Sequence, residues 1–161
     1  YEVVEIEKHE VEDIAVSSTK IRKAILNGVI EKANTYLQYP FVLSGKVIHG
    51  KKIGTEIGYP TANLEVERQN KIIPKAGIYA VYVRYNEQRY KAMLYIGNRP
   101  TLNGQDQSIE VNLFEFNDNL YGKTLYVEFI AHIREDAKFE SLEALQMQIG
   151  QDKVDTLAVL G

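Results

Sequence analysis

The change of pattern at Pro40 constrains the fold of this chain more than any other feature. Beyond Pro40 the sequence runs in short segments of alternating apolar and polar residues, separated by turn-forming residues. Alternation with a period of two is typical of β-strands that bury one face. Six such segments occur, over residues 41–48, 62–66, 77–85, 89–96, 108–116 and 125–133. The pattern therefore predicts a mainly β fold, an antiparallel barrel or sandwich.

Helical patterns flank these segments on both sides. The hydroxyl residues at 17–19 predict an N-cap for a short helix over 20–27, and a second helical pattern ends at Pro40. Residues 1–40 should therefore contain a short helical hairpin. Residues 141–160 predict a C-terminal helix that Gly150 could bend. Its apolar residues fall near one helical face: Leu142, Leu145, Ile149, Leu157 and Leu160.

Composition limits the classes of partner. The chain has 161 residues, is 45% hydrophobic and carries a net charge of −3, which suits one compact domain with a small appendage and gives no general attraction to nucleic acid. The absence of cysteine excludes disulfides and thiolate metal sites. No apolar run approaches the roughly 18 residues of a membrane span, so we expect a cytoplasmic protein with no membrane partner. The first residue is Tyr1 rather than Met, so we expect a piece of a longer protein.

The segment 60–63, Pro-Thr-Ala-Asn, predicts a site for a metal ion and phosphate. Proline favours an extended chain here, and residues two apart in a strand face the same way. Thr61 and Asn63 would then offer two neutral oxygens to a Mg²⁺ whose other ligands are water and nucleotide phosphates. Glycines precede the segment at Gly50, Gly54 and Gly58. The alternative is that these glycines only form a tight hairpin before a strand.

Glu110 is the candidate catalytic carboxylate. The apolar residues around it fall on one face of the predicted strand: Ile109, Val111 and Leu113. Glu110 and Asn112 therefore share the other face, and the apolar phase then shifts to Phe114 and Phe116, as a bulge would cause. A carboxylate facing a cavity can accept a proton from a substrate hydroxyl. The alternative is an ordinary solvent-facing strand glutamate.

Six blocks in sequence together resemble the riboflavin kinase domain of bacterial bifunctional riboflavin kinase/FAD synthetase. They are Gly58-Tyr59-Pro60-Thr61-Ala62-Asn63 with its preceding glycines, Ala76-Gly77-Ile78-Tyr79, Ile96-Gly97-Asn98-Arg99-Pro100-Thr101, Ile109-Glu110-Val111, Leu120-Tyr121-Gly122-Lys123, and Ile133-Arg134 with Lys138-Phe139. The resemblance extends in order from about residue 41 to the C-terminus.

This resemblance implies a six-stranded antiparallel barrel, with a C-terminal helix, that transfers the γ-phosphate of ATP to the 5′-hydroxyl of riboflavin, giving FMN and ADP. It implies Mg²⁺ on Thr61 and Asn63, with Glu110 as the base. It places seven residues on the ATP side, namely Gly50, Gly54, Gly58, Thr61, Asn63, Leu113 and Tyr121. It places Arg134 and Phe139 on the flavin side; their alternatives are a surface charge and a core residue. Five tyrosines are expected to be barrel residues rather than flavin contacts, namely Tyr79, Tyr82, Tyr85, Tyr90 and Tyr95.

The resemblance also implies two domains. Residues 1–40 would be the C-terminal remnant of an FMN adenylyltransferase domain, and residues 41–161 the kinase domain. Residues 16–22 are similar to that transferase's serine-threonine motif, and a hydroxyl-rich helix N-terminus can bind phosphate. FAD synthesis would need the upstream domain. The chain departs from the family pattern at Thr55, Asn112 and Glu115.

A different class of function remains open on sequence grounds. The barrel could hold flavin or nucleotide without turnover, or bind short oligonucleotides through its tyrosines. The acidic charge balance and the lack of a basic, aromatic strand face argue against nucleic acid.

Overall fold

The strands form a closed antiparallel barrel in the order β1-β2-β5-β4-β3-β6. The computed structural model describes residues 8–49, 60–66, 72–101 and 104–161, and the side chains of these ranges except at 8–16, 99–101 and 104–106. The strands are β1 (Phe41–Ile48), β2 (Ala62–Val66), β3 (Gly77–Tyr85), β4 (Gln88–Thr101), β5 (Gly104–Leu113) and β6 (Thr124–Glu135). This confirms the predicted mainly β barrel.

The barrel interior takes every second residue of each strand. Tyr79 and Phe129 are its largest fully buried side chains, and their rings meet edge to face with centroids 5.3 Å apart. The aliphatic members come from all six described strands: Leu43, Val47, Leu64, Val81, Val83, Leu94, Ile96, Ile109, Val111, Leu125 and Val127. Alternate residues therefore lie on the outside of the barrel.

Strand boundaries follow the sequence where turn residues mark them. The bounds of β1, β2 and β3 are as predicted, and Asn86 and Glu87 both take positive φ in the tight turn before β4. Residues 97–101 and 104–107, which fall between the predicted fourth and fifth strands, are strand instead, because β4 and β5 stay paired from Ile96 and Ile109 out to Thr101 and Gly104.

β5 ends earlier than the apolar pattern suggests. It stops at Leu113, and Phe114 and Glu115 form a turn in which Glu115 has a φ of 56°. The bulge predicted over Phe114 and Phe116 is therefore wrong. A left-handed residue ends the ladder, and Phe114 is buried after the turn rather than on a strand face.

Two helices precede the barrel, α1 (Lys8–Leu26) and α2 (Ile30–Leu37), joined at Gly28 with a φ of 78°. The hairpin is as predicted, but α1 begins before Ser17. The predicted cap over 17–19, and with it a phosphate site at a helix N-terminus there, is wrong. The N–H groups in the middle of a helix already bond to its own carbonyls and cannot receive a capping hydroxyl or a phosphate.

The hairpin shares the barrel core. Ile30 is fully buried in the same cluster as the barrel's aliphatic residues. Asn34 donates from Nδ2 to the carbonyl of Phe129 at 2.8 Å and accepts at Oδ1 from the backbone N–H of Phe41, also at 2.8 Å. α2 is therefore attached to β1 and β6 by packing and by two partly buried hydrogen bonds.

The C-terminal helix, α3 (Leu142–Leu160), is capped by Ser141, whose hydroxyl accepts from the N–H of Ala144 at 3.1 Å. It continues through Gly150 without a break. Its buried residues are Asp152, Thr156 and Leu160, whereas Leu142 is 58% exposed. The helix is as predicted, and of its apolar face Leu160 is buried, Leu145 and Ile149 are half-buried, and Leu142 and Leu157 are exposed. None of the helices in the described ranges is long and apolar enough to cross a membrane.

Candidate functional site

Asn63 on β2 lies directly opposite Glu110 on β5. Glu110 in turn opposes Tyr95 on β4, and the pairing continues through Ile78 on β3 to Arg134 on β6. Directly opposed residues of antiparallel strands share one face. Because the neighbouring residues on β2 and β5 fill the barrel interior, this row lies on the outer face. The predicted metal residue, base and flavin-side arginine are thus on one face of the sheet.

A cleft of about 420 Å³ opens at the end of the barrel where β1 ends and β2 begins. It brings together four of the residues predicted on the ATP side, Thr61, Asn63, Leu113 and Tyr121. Tyr121 stacks on His49, with ring centroids 3.9 Å apart. The other predicted ATP residues, Gly50, Gly54 and Gly58, lie outside the described residues.

Residues 114–123 form the outer wall of this cleft. The C-terminal end of this segment is held to β1 by two backbone hydrogen bonds. The N–H of Val47 donates to the Lys123 carbonyl, and the N–H of Gly122 donates to the Val47 carbonyl, both at 2.9 Å. Leu120 is buried there, and Tyr121 is 53% exposed. The wall is therefore anchored while it still presents an aromatic surface to the cleft.

Asn112 supports the start of β2. Its side chain is buried, and Nδ2 donates to the carbonyl of Pro60 at 2.6 Å. Pro60 immediately precedes Thr61, so this bond holds the segment that carries Thr61 and Asn63. The sequence placed Asn112 beside Glu110 but gave no reason to expect this role.

The oxygens of Thr61 and Asn63 fit a magnesium ion by their chemistry. Both residues are half-buried and line the same cleft, and each has a neutral, hard oxygen. In the described part of the chain there is no group of three or more His, Asp or Glu residues that could hold a metal. Such a donor pair suits an ion whose remaining ligands are water and phosphate.

Arg134 and Phe139, the predicted flavin-side residues, contact each other. The guanidinium carbon of Arg134 lies 5.5 Å from the centroid of the Phe139 ring. Three strand-to-strand steps separate Arg134 from Glu110, a path of about 14 Å along the curved sheet at the usual strand spacing. Arg134 is a paired rather than a free surface charge, and Phe139 is half-buried.

The partner of Arg134 is Asp152, which sequence reasoning missed. Asp152 is fully buried on α3 and accepts two hydrogen bonds from the guanidinium, from Nε at 2.7 Å and from Nη2 at 2.8 Å. Gln148, one turn earlier, also donates to Asp152 at 3.0 Å. This fork-to-fork pair fixes the plane of the guanidinium. Asp152 is one of three acidic residues on α3, with Glu143 and Asp155, so the sequence held no signal that singled it out.

Tyr95 is a residue of the barrel strand β4, as expected. It lies on the outer face, between the strands that carry Glu110 and Ile78. Its hydroxyl donates to Asp136 at 2.9 Å. Burial, the hydrogen bond to Asp136 and the negative charges of Asp136 and Glu110 raise the pKa of Tyr95 above its ordinary value, so the phenol stays protonated.

Comparison with known proteins gives one family. The family model described as Flavokinase, riboflavin kinase, matches residues 37–160. The chain is 43% identical over 138 residues to the bifunctional riboflavin kinase/FMN adenylyltransferase of Haemophilus influenzae, covering 85% of this chain and 44% of that protein. The protein of the same name from Bacillus subtilis is 39% identical over 155 residues, covering 94% and 49%. The chain thus spans about half the length of these relatives.

Two solved structures share the fold of this chain. A crystal structure from Streptococcus pneumoniae, described as a macrolide-efflux protein, superposes with a TM-score of 0.83 at 40% identity, covering 86% of this chain and 45% of that one. The riboflavin kinase of Trypanosoma brucei superposes with a TM-score of 0.53 at 25% identity, covering 76% and 80%. On the evidence of the matched family model, its relatives and the shared barrel, the chain belongs to the riboflavin kinase family.

Proposed function

We propose that this chain phosphorylates riboflavin at its ribityl 5′-hydroxyl with the γ-phosphate of ATP, giving FMN and ADP. One observation carries the proposal beyond family membership: Asn63 lines the cleft and is also the direct cross-strand partner of Glu110. A phosphate held at Asn63 is therefore next to the carboxylate that can receive the acceptor's proton.

The cleft would hold the nucleotide. Leu113 and Tyr121 supply apolar and aromatic surface for it, and Thr61 and Asn63 lie where the phosphates enter. We assign Gly50, Gly54 and Gly58 to the same nucleotide on sequence grounds alone. Mg²⁺ bound by Thr61 and Asn63 would neutralise charge on the transferred phosphoryl group and on the leaving ADP.

Glu110 would act as the general base. Its carboxylate takes the proton of the 5′-hydroxyl while that oxygen bonds to the γ-phosphorus, and the bond from the γ-phosphorus to the bridging oxygen of ADP breaks. The remaining work is positioning, which a rigid sheet face provides. Arg134 and Phe139, about 14 Å away along the sheet, would hold the flavin ring system, a separation suited to a molecule with its hydroxyl at one end and its ring at the other.

The division of the chain at residue 40 is also a proposal. We assign residues 1–40 to the end of an adenylyltransferase domain and 41–161 to the kinase, supported by the family match that starts at residue 37. In a longer protein with the upstream domain, FMN made here would pass to FAD synthesis. The burial of Ile30 in the barrel core shows that α2 nevertheless packs as part of the kinase barrel.

The test is to incubate the purified chain with riboflavin, ATP and Mg²⁺ and to separate the flavins by chromatography. We expect FMN and ADP in equal amounts and no FAD. Formation of FAD would contradict the proposed division of the chain. Binding of riboflavin without any FMN, by a protein with an intact cooperative unfolding transition, would favour a binding module over a kinase.

A further inference from the structure

We propose that Tyr95 is a substrate-contacting residue, its ring forming the surface on which riboflavin lies between Glu110 and Arg134. This inference rests on the proposed function and deepens it. It assigns to the flavin side a tyrosine that the sequence pattern placed with the barrel residues.

The order of the strands supports this assignment. A ligand that follows the cross-strand row from Glu110 on β5 to Arg134 on β6 crosses β4 and β3, because the pairing of these residues runs through those two strands. In the other direction around the closed barrel, the row leads through β2 to Ile48 on β1, which lies near the opposite end of β6 from Arg134. The residues of the crossing row are Tyr95 on β4 and Ile78 on β3. Ile78 is only 6% exposed, whereas Tyr95 is half-buried. Of these two residues, Tyr95 therefore offers the larger accessible surface to a ligand on this path.

The ring of Tyr95 is held against the sheet. A β-carbon added at Gly97, two residues along the same strand, would lie 2.5 Å from the Tyr95 hydroxyl and 2.7 Å from its Cε1. The absence of a side chain at Gly97 thus lets the ring lie close to the backbone of β4. A flat aromatic surface results, next to the strand that carries Glu110.

The hydroxyl of Tyr95 connects its strand to the segment that carries Phe139. It donates to Asp136, which begins the connection from β6 to α3 over residues 136–141, and that connection carries Phe139. Since Phe139 also contacts Arg134, the hydroxyl of Tyr95 ties the flavin-side residues to the strand next to Glu110. The ring and the hydroxyl therefore make separable contributions.

Three variants separate these contributions. Tyr95→Leu removes the aromatic surface and the hydroxyl, and Tyr95→Phe removes only the hydroxyl. The matched control is Tyr82→Phe, since Tyr82 lies on the neighbouring strand and donates to the Leu160 carbonyl at 2.8 Å, far along the sheet from Glu110. Steady-state kinetics with riboflavin and with MgATP, and riboflavin Kd from fluorescence quenching, are measured for each. Thermal unfolding checks that each variant is folded.

For Tyr95→Leu we expect riboflavin KM and Kd to rise about tenfold. For Tyr95→Phe we expect a rise of about threefold, and for Tyr82→Phe no change. The KM for MgATP should stay unchanged in all three. Unchanged riboflavin KM and Kd in Tyr95→Leu would overturn the proposal, and tighter riboflavin binding would show that the ring blocks the site. If the wild-type chain forms no FMN, the proposed function fails instead, while the Kd series still tests Tyr95.

Discussion

Asn63 and Glu110 form a directly opposed pair on β2 and β5, and Asn63 also lines the cleft at the barrel end. Under the proposed function, this cross-strand pair joins the nucleotide side to the side that activates the hydroxyl, which the sequence could only predict separately. Because the pairing is set by backbone hydrogen bonds, the two side chains keep this relationship whichever ligand binds first.

Replacement of Glu110 by Gln should lower kcat by about two to four orders of magnitude with small changes in the KM values. Glutamine keeps the size of the side chain but cannot take up the proton of the hydroxyl. Glu65→Gln is the matched control, an exposed glutamate on β2 that should retain wild-type activity. Turnover within a few fold of wild type in Glu110→Gln, with chemistry limiting the rate, would remove Glu110 from the mechanism.

Mg²⁺ should bind appreciably only in the presence of nucleotide. Thr61 and Asn63 carry no charge, and Mg²⁺ gives up its water ligands reluctantly. Titration calorimetry with and without ADP measures this directly. Asn63→Ala should abolish most turnover and weaken binding of the Mg²⁺-nucleotide complex while leaving the unfolding transition unchanged. Tight Mg²⁺ binding to the free protein would indicate carboxylate ligands and contradict the assignment.

Replacement of Asp152 by Ala should destabilise the fold by about 3–5 kcal/mol, because the Arg134 guanidinium would lose its buried counter-charge. Chemical denaturation gives the free energy of unfolding. The control on the same helix is Asp155→Ala, whose pairing with Gln151 is exposed and whose loss should cost less than about 0.5 kcal/mol. Equal effects of the two substitutions would show that the Arg134 pair is not a structural support.

The helical hairpin should unfold together with the barrel. Ile30→Ala removes a fully buried side chain from the shared core and should cost about 2–5 kcal/mol in a single transition. Lys32→Ala, exposed on the same helix, should change stability by less than about 0.5 kcal/mol. Far-UV and near-UV circular dichroism report the helices and the core aromatic residues. Two separate transitions would mean that α1 and α2 fold independently of the strands.

Stability should fall as the pH drops below about 6.5 partly through His132. Burial lowers the pKa of this histidine below its ordinary value of 6.5, and its Nε2 is buried without a hydrogen-bond partner. The unfolded chain then binds the proton more readily than the folded one, so protonation favours unfolding until the pH falls below the folded pKa. The measurement is the free energy of unfolding at pH about 7.5 and 5.5, in wild type and in His132→Gln. An equal pH dependence in both proteins would contradict this contribution.

Strand positions could be predicted well because local chemistry marks them. Pro40 marks the start of β1, and the turn at Asn86 and Glu87 marks the end of β3. Both are visible in the local sequence. The end of β5 could not be predicted in the same way. The left-handed conformation of Glu115 is not a preference of glutamate, so it must be imposed by the surrounding contacts.

The site was predicted as a set of residue types but not as a connected arrangement. Asn63 and Glu110 stand out as polar residues within predicted strands, and Thr61 stands out by its place in the Pro-Thr-Ala-Asn segment. Asp152 does not stand out in the sequence. It is buried because it pairs with Arg134, which lies on β6, an earlier element of the chain. Prediction from apolar patterns expects the buried face of a helix to be hydrophobic. On α3, part of the buried face is instead the ion pair between Asp152 and Arg134.

The backbone ladders of the barrel make the spacing between Glu110 and Arg134 a fixed length. Each of the three steps between them is set by interstrand hydrogen bonds rather than by side-chain rotamers. In a closed ring, one strand cannot move aside without breaking pairing elsewhere around the circumference. Under the proposed function the barrel therefore selects an acceptor by the distance between its hydroxyl and its ring system. A flavin whose ribityl chain is shortened or lengthened would be rejected even if its hydroxyl and its ring are unchanged.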